Sequence, residues 1–396
     1  MRAIKEVRHR WAKIPVLLCL LVVAACVPAL AGSYEQTNLV SDIAGVARNT
    51  DIRPACNVQM PGGPAAPCLV NPWGLAYSPT SPFWISDNNA GVSTLYDGAG
   101  NARSLVVVIP PPAGTPAGTL AAPTGIVFNG TGEFVVSKNG KSGSAAFIFA
   151  TEDGTLSGWS PGVDVNNAVL AVDNSTGSST SVDGSALGAV YKGLATGSVG
   201  GANFIYATNF RDGVVEVYNS SFKLMKSFTD TTVPAGFAPF GIQNINGKLF
   251  ITFAKQNDQK HDDVAGPGNG FVDVLDLVHD GNDGPLERFA SGGVLNSPWG
   301  IALAPSGFGE FSHHLLIGNF GDGRINAFDV RSQNSDGPLQ DHHHLPITIN
   351  GLWGLRFGGG APNNANGATN SLYFTAGIGD ESHGLFGMIN VFHCDE

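Results

Sequence analysis

One short pattern recurs six times along the chain and restricts its fold more than any other feature. It reads NPWGLAY around Gly74, APTGIVF around Gly125, VYKGLAT around Gly193, APFGIQN around Gly241, SPWGIAL around Gly300 and GLWGLRF around Gly354. The glycines are spaced by 51, 68, 48, 59 and 54 residues, close to the roughly 40 to 50 residues of a propeller blade once loops are allowed for. After each glycine strand comes a second β-rich run ending in polar residues: PFWISDNN, EFVVSKNG, NFIYATNF, KLFITFAK, HLLIGNFGD and SLYFTAG. A third run then alternates apolar and polar, as in VSTLYD, AAFIFA, VVEVYN, FVDVLD, INAFDV and MINVF, the signature of a half-buried strand. Fourth strands such as RSLVVVIP and FKLMKSF complete the unit. The chain therefore reads as all-β, a six-bladed β-propeller.

The last copy stops after its third strand, and an unassigned strand-like segment, YEQTNLVSD, precedes the first. The expectation is that this N-terminal strand joins the C-terminal blade and closes the ring, removing two free sheet edges. Residues 34–396 then form one domain, with the Ser/Gly/Thr-rich stretch 174–187 as a surface insertion. Before it, Arg2, Lys5, Arg8, Arg10 and Lys13 lead into an apolar run from Ile14 to Ala25, too short to span a membrane and read as a signal peptide, residues 1–31. Val23, Ala24, Ala25 and Cys26 also resemble a lipobox, which would leave a lipid anchor on Cys26. The mature chain is expected to be periplasmic or extracellular, with no transmembrane segment. In that oxidising setting Cys56 and Cys68, which bracket a Pro/Gly-rich loop, are expected to form a disulfide. A net charge of −11 excludes the basic footprint of nucleic-acid binding.

Propeller geometry puts the connections between second and third strands, and those between one blade and the next, on one face around the channel mouth. Asp87, Asn88, Lys138, Asn209, Lys255 and Asn319 end second strands there, beside Trp73, Trp299 and Trp353 at the glycine motifs. Two longer loops add His261, Asp262 and Asp263 from the fourth blade and Asp380, Glu381 and His383 from the sixth. Each of these Asn and Asp residues also suits an ordinary turn, and the two loops also suit solvated acidic surface. If the loops converge, His261, Asp262, Asp263, Glu381 and His383 are candidate ligands for a divalent cation or suppliers of a general base. His342, His343 and His344, and His313 with His314, fall toward the opposite face. Catalytic GxSxG, P-loop, HExxH and EF-hand patterns do not occur.

The segments CLVNPWGLAY, SDNNAGVSTLYDGAG, KHDDVAGPGNGFVDVLD, SPWGIALAP, NFGDGRINAFD and HGLFGMINVF resemble a family of exported bacterial propeller proteins of uncharacterised function, some carrying a PEP-CTERM sorting tail. The likeness covers nearly all the mature chain. The chain ends at HCDE, so such a tail is not expected, and the family supplies no reaction. More distantly, the blades are similar to NHL repeats and six-bladed lactonases, an analogy of fold.

Two functions follow. One is an exported binding or scaffold propeller whose mouth engages a carbohydrate, a peptide or an anionic small molecule, the last favoured by Lys138 and Lys255. The alternative is a metal-assisted hydrolase of lactonase or esterase type, with a divalent cation in the mouth. No cofactor is certain from the sequence.

Overall fold

The computed structural model describes residues 32–51, 53, 67–176, 179–180 and 186–393. The signal segment, Cys26, Cys56 and Cys394 lie outside them. Cys68 is fully buried.

Six antiparallel blades carry the six glycine motifs on their innermost strands, five of them four-stranded and the sixth extended by a short parallel strand, Asn49–Thr50, at its outer edge. The first blade comprises Pro72–Ala76, Phe83–Asp87, Val92–Tyr96 and Ala102–Val108, in that order outward from the channel. The third (Tyr191–Val199, Ala202–Asn209, Val214–Asn219, Leu224–Phe228), fourth (Phe237–Ile245, Lys248–Lys255, Phe271–Asp276, Glu287–Ser291) and fifth (Pro298–Leu303, Leu315–Asn319, Ile325–Phe328, Ser335–Pro338) repeat that order. In the sixth, Leu352–Phe357, Leu372–Ala376 and Leu385–Val391 are followed outward by Tyr34–Ser41, which pairs antiparallel with Leu385–Val391 from Tyr34↔Val391 to Ser41↔Leu385. The Tyr34 hydroxyl donates to Phe308 O at 3.0 Å and accepts Phe311 N–H at 3.1 Å, so the N-terminal strand is tied to the fifth blade as well.

The second blade departs from the sequence expectation. EFVVSKNG is not its second strand: Val135–Lys138 pairs only with Lys141–Ser144, as a separate hairpin turning at Asn139 and Gly140. The blade is built instead from Pro123–Phe128, Phe147–Thr151, Thr155–Trp159 and Val169–Asp173. The hairpin interrupts the connection from first to second strand and therefore lies toward the face opposite the mouth. There, Phe134 packs edge-on against Phe222 of the third blade.

The repeated glycine has one physical role throughout. A Cβ on Gly125 would stand 2.5 Å from Leu194 N, one on Gly193 2.8 Å from Phe240 O, and one on Gly354 2.6 Å from Trp73 O. Gly74, Gly241 and Gly300 face Thr124 O, Trp299 O and Trp353 O still more closely. Each inner strand thus rests its glycine on the backbone of the next inner strand, and the sixth rests on the first. Hydroxyls lock the contact: the Thr208 Oγ1 accepts Gly193 N–H at 2.7 Å and donates to Phe240 O at 2.7 Å, while the Thr375 Oγ1 accepts Gly354 N–H at 2.8 Å and donates to Trp73 O at 2.6 Å.

Gly241→Ala is expected to destabilise the fold by about 1–3 kcal/mol, the usual cost of overpacking where backbone must move. Gly132→Ala, at an exposed position with nothing within 4 Å of the added methyl, should be neutral or stabilise by up to about 1 kcal/mol. Denaturant unfolding of the two variants beside the wild type checks the contrast, and equal losses would contradict the role given to the glycine ring.

Candidate functional site

The residue preceding each motif glycine sits at a register irregularity, as between Pro72 and Leu75, Pro298 and Gly300, or Leu352 and Leu355. The extra residue opposite its partner strand turns these side chains toward the axis. Three of them are tryptophans, and they meet. Trp73 stacks on Trp353 at 3.4 Å between centroids, Trp299 stands edge-on to both at 6.0 and 5.8 Å, and Phe320 stacks on the same Trp353 at 4.0 Å. Phe240 and Phe210 continue the cluster. Trp73 and Trp353 are buried, so these indoles plug the channel rather than offering a stacking platform for a ligand. Within the channel lies a cavity of about 30 Å3, lined by Gly74, Gly125, Gly300 and Gly354, room for about one water.

Above the plug lies a charged cluster. Lys192, the motif residue of the third blade, is only 2% exposed. Its ammonium lies 5.1 Å from the Trp73 ring centroid and 5.8 Å from that of Phe210. It donates to Glu152 Oε1 and stands 3.7 Å from Asp262 Oδ1. Glu152 occupies the loop between second and third strands of the second blade, and its Oε2 accepts from Asn88 Nδ2 at 2.9 Å. His261 Nδ1 lies 2.7 Å from Asp262 Oδ1. Glu152, His261 and Asp262 each offer a ligand atom within 4.8 Å of the others. Asp153, Asp263 and Glu381 surround this group electrostatically.

The carboxylates differ in state. Its bond to His261 holds Asp262 below the usual carboxylate value, helped by Lys192 against partial burial. Burial raises Asp153, with repulsion from Glu152 adding to it and the Ala122 N–H opposing it. Burial likewise raises Asp263, partly offset by the nearby Ser297 hydroxyl and by Lys192. Glu381 is raised to about 7 by burial and by repulsion from Glu152, with Asn71 and Lys192 opposing. Four buried polar atoms lack a partner in hydrogen-bonding geometry here: Asp263 Oδ2, Glu381 Oε1, Ser297 Oγ and Trp73 Nε1. Ser297 is completely buried. The other two indoles of the plug do donate, Trp353 to Asn71 Oδ1 at 3.0 Å and Trp299 to Lys192 O at 3.1 Å.

Of the residues picked out from sequence, Asn88, His261, Asp262, Asp263 and Glu381 are brought together here. The others are not. Lys138 sits on the inserted hairpin of the far face and pairs with Asp164 at 2.8 Å, because the strand assigned to it belongs outside the blade. Asp87 turns into its own blade, where Oδ2 accepts Thr94 N–H at 3.0 Å and burial pushes the carboxyl well up. Asn209 and Asn319 are buried turn residues: Asn209 donates to Asp212 and Glu216 at 2.8 Å, and Asn319 donates to Val294 O at 2.8 Å. Lys255 and Asp380 are exposed, the latter in left-handed backbone. His383 turns to the N-terminal strand, its Nδ1 2.6 Å from Asp42 Oδ2. The sequence reading missed Glu152, Asp153, Lys192 and Ser297. Lys192 was visible as the one charged residue at the position before a motif glycine, and Glu152 and Asp153 stand in ThrGluAspGly, a hairpin-turn signal.

No family model matches the chain. It is 30% identical over 331 residues to uncharacterized protein R648 of Acanthamoeba polyphaga mimivirus, covering 82% of this chain and 75% of that protein. It is also 30% identical over 330 residues to uncharacterized protein L690 of the same virus, covering 82% and 80%. These relatives carry no evidence of bacterial export or of a sorting tail. Among solved structures it is similar to a streptogramin B lyase (TM-score 0.49, 13% identity, 92% of this chain and 99% of that chain). It is similar too to a catalytically inactive virginiamycin B lyase from Staphylococcus aureus with quinupristin (TM-score 0.46, 12% identity, 91% and 99%). At such identities the likeness is one of fold.

Because Glu381 holds its proton up to about 7 when folded and only to about 4.5 otherwise, the unfolded chain loses that proton first as pH rises. The stability tied to the neutral acid is therefore complete below about pH 4.5 and is lost progressively toward pH 7. Glu381→Gln, which cannot ionise, should show a smaller fall in Tm across that interval than the wild type. Parallel Tm profiles would contradict the burial of this carboxyl.

Proposed function

The chain belongs to the same family as the mimivirus proteins R648 and L690, and from that premise and the geometry of the channel mouth we propose an exported binding propeller that captures an amine-bearing organic cation above the aromatic plug. The observation that carries this reading is the pair of buried carboxylate oxygens with no donor in full hydrogen-bonding geometry, Asp263 Oδ2 and Glu381 Oε1, which the neighbouring Ser297 and Asn71 serve only in part, beside a single lysine that already serves Glu152 and Asp262. Four carboxylates, those of Glu152, Asp262, Asp263 and Glu381, act on the one ammonium of Lys192, with Arg211 near Asp262 as the second cation. An alkylammonium brings up to three donors and one positive charge, which answers both deficits at once. The half-exposed His261 and the exposed Asp262 at the rim leave a path for it. Export is supported by the basic residues and apolar run at the N-terminus.

This reverses the preference for an anionic ligand. That preference rested on Lys138 and Lys255, of which the first lies on the far-face hairpin and the second is exposed to solvent. A carbohydrate is also less favoured, since of the three tryptophans at the mouth Trp73 and Trp353 are buried in the plug and Trp299 is only partly exposed.

The metal-assisted hydrolase is the second reading, favoured by the Glu152, His261 and Asp262 grouping. Against it, the Lys192 ammonium already lies against both carboxylates that a divalent ion would need and would repel that ion.

Putrescine is the probe that separates the readings, with 1,4-butanediol as its uncharged counterpart, titrated calorimetrically at pH 7 in two buffers of different ionisation enthalpy. Saturable putrescine binding with release of protons is expected, because a bound cation lowers the carboxyl of Glu381, which burial raises to about 7. Asp262→Asn should weaken it by about tenfold, equivalent to about 1.4 kcal/mol. Equal binding of the diol, or no putrescine binding, would overturn the proposal. Stoichiometric divalent metal in protein purified without chelator would favour the hydrolase instead.

A further inference from the structure

The opposite end of the channel has a different character. Where the inner strands of the fourth, fifth and sixth blades end beside Tyr77 of the first, they leave a pocket of about 300 Å3, the small end of the range for ligand sites. Ile301, Leu303 and Leu355 supply apolar walls, and Asn246 and Tyr77 polar edges. One charged side chain lines it, that of Arg356.

Arg53 pairs with Asp51, Arg103 with Asp97 and Arg288 with Asp230 and Asp273, whereas Arg356, like Arg48, Arg211, Arg324 and Arg331, forms no ion pair among the described residues; of these five it is the one that lines this pocket. Its guanidinium carbon lies 4.6 Å from the Tyr77 ring centroid, and its Nε is buried without an acceptor. The ring beneath it is fixed, since the Tyr77 hydroxyl donates to Phe357 O at 2.9 Å. A buried guanidinium nitrogen that donates to nothing forfeits a charge-assisted hydrogen bond, and Arg356 lines the pocket, where the guanidinium can meet an acceptor.

We infer that this far-face pocket binds a small organic carboxylate, with its oxygens on the Arg356 guanidinium and its apolar body against Ile301, Leu303 and Leu355. A monoanion is the match in charge, because the lining offers one cation and a phosphate dianion would remain half compensated. The planar carboxylate also suits the fork of donors that a guanidinium presents. The site is independent of the mouth: the aromatic plug and a channel with room for about one water separate the two.

The test titrates the full chain with octanoate and benzoate by calorimetry, with octanol and phenyl phosphate as comparisons. One-to-one saturable binding of the carboxylates is expected, with octanol at least about tenfold weaker and Arg356→Gln reducing octanoate affinity by about tenfold or more. Arg356→Lys should fall between, keeping the charge but not the fork. Leu303→Glu, which leaves Arg356 in place and sets a like charge at the rim, should also abolish binding, so a failure of Arg356→Gln to fold does not remove the test. Thermal melting monitors the fold of every variant. Octanol binding as tightly as octanoate, undiminished binding to folded Arg356→Gln, or no saturable carboxylate binding to the wild type would each overturn the inference. Phenyl phosphate binding more tightly than benzoate would overturn the choice of a carboxylate.

Discussion

The whole architecture depends on the distance at which six inner strands pass one another around the axis. Backbone meets backbone there, and only a residue without a Cβ permits it: Gly354 lies against Trp73 O just as Gly193 lies against Phe240 O. The threonine hydroxyls at 208 and 375 then bridge from the glycine N–H of one blade to the carbonyl of the next. Packing this tight leaves no channel for a ligand to traverse. It also distorts each inner strand at the residue before the glycine, so that six such side chains are delivered to the axis. Five of them, Trp73, Thr124, Phe240, Trp299 and Trp353, are uncharged. The sixth is Lys192, and the chemistry of the mouth is organised around that exception.

A lysine so deeply placed is costly unless its charge is compensated, because taking an ammonium out of water carries a penalty of several kcal/mol even after relaxation. Compensation comes from two directions. Glu152 and Asp262 reach it from loops of different blades, and the faces of Trp73 and Phe210 lie below it. The favourable field of an aromatic face for a cation adds about 0.5–2 kcal/mol. Lys192 therefore ties the plug to the loops above it. The second and fourth blades, far apart in sequence, are held together through its Nζ.

The fold was legible from sequence because its determinant is local and repeated: a glycine, a bulky or polar neighbour before it and an aliphatic strand after it. Where one copy breaks the period, the same reasoning misled. EFVVSKNG has the composition of a second strand, yet Val135–Lys138 finds its partner in Lys141–Ser144, and the genuine second strand begins at Phe147. That single shift moved Lys138 to the wrong face and hid Glu152 and Asp153, which occupy the loop where Lys138 and Asn139 had been expected. Five of the twelve binding candidates assemble at the mouth; Asn209 and Asn319 became turn residues because strand ends need their side chains to satisfy backbone groups. His383 was lost to Asp42, a partner more than 300 residues away in sequence, and spacing within a loop carries no information about such a contact.

The two ends of the channel have opposite electrostatic demands, and the plug makes that arrangement tenable. At the mouth, carboxylates outnumber cations; at the far face, one guanidinium stands among uncharged side chains. An open aqueous channel would let ions pass between them and screen both. Trp73, Trp299, Trp353 and Phe320 pack across the axis instead and replace that water with low-dielectric rings, in which each end keeps its own field. The tryptophans at the motif glycines thus serve as the insulator between two electrostatic environments. Their identity is set by the need to fill the axis left open when glycine brings the inner strands together.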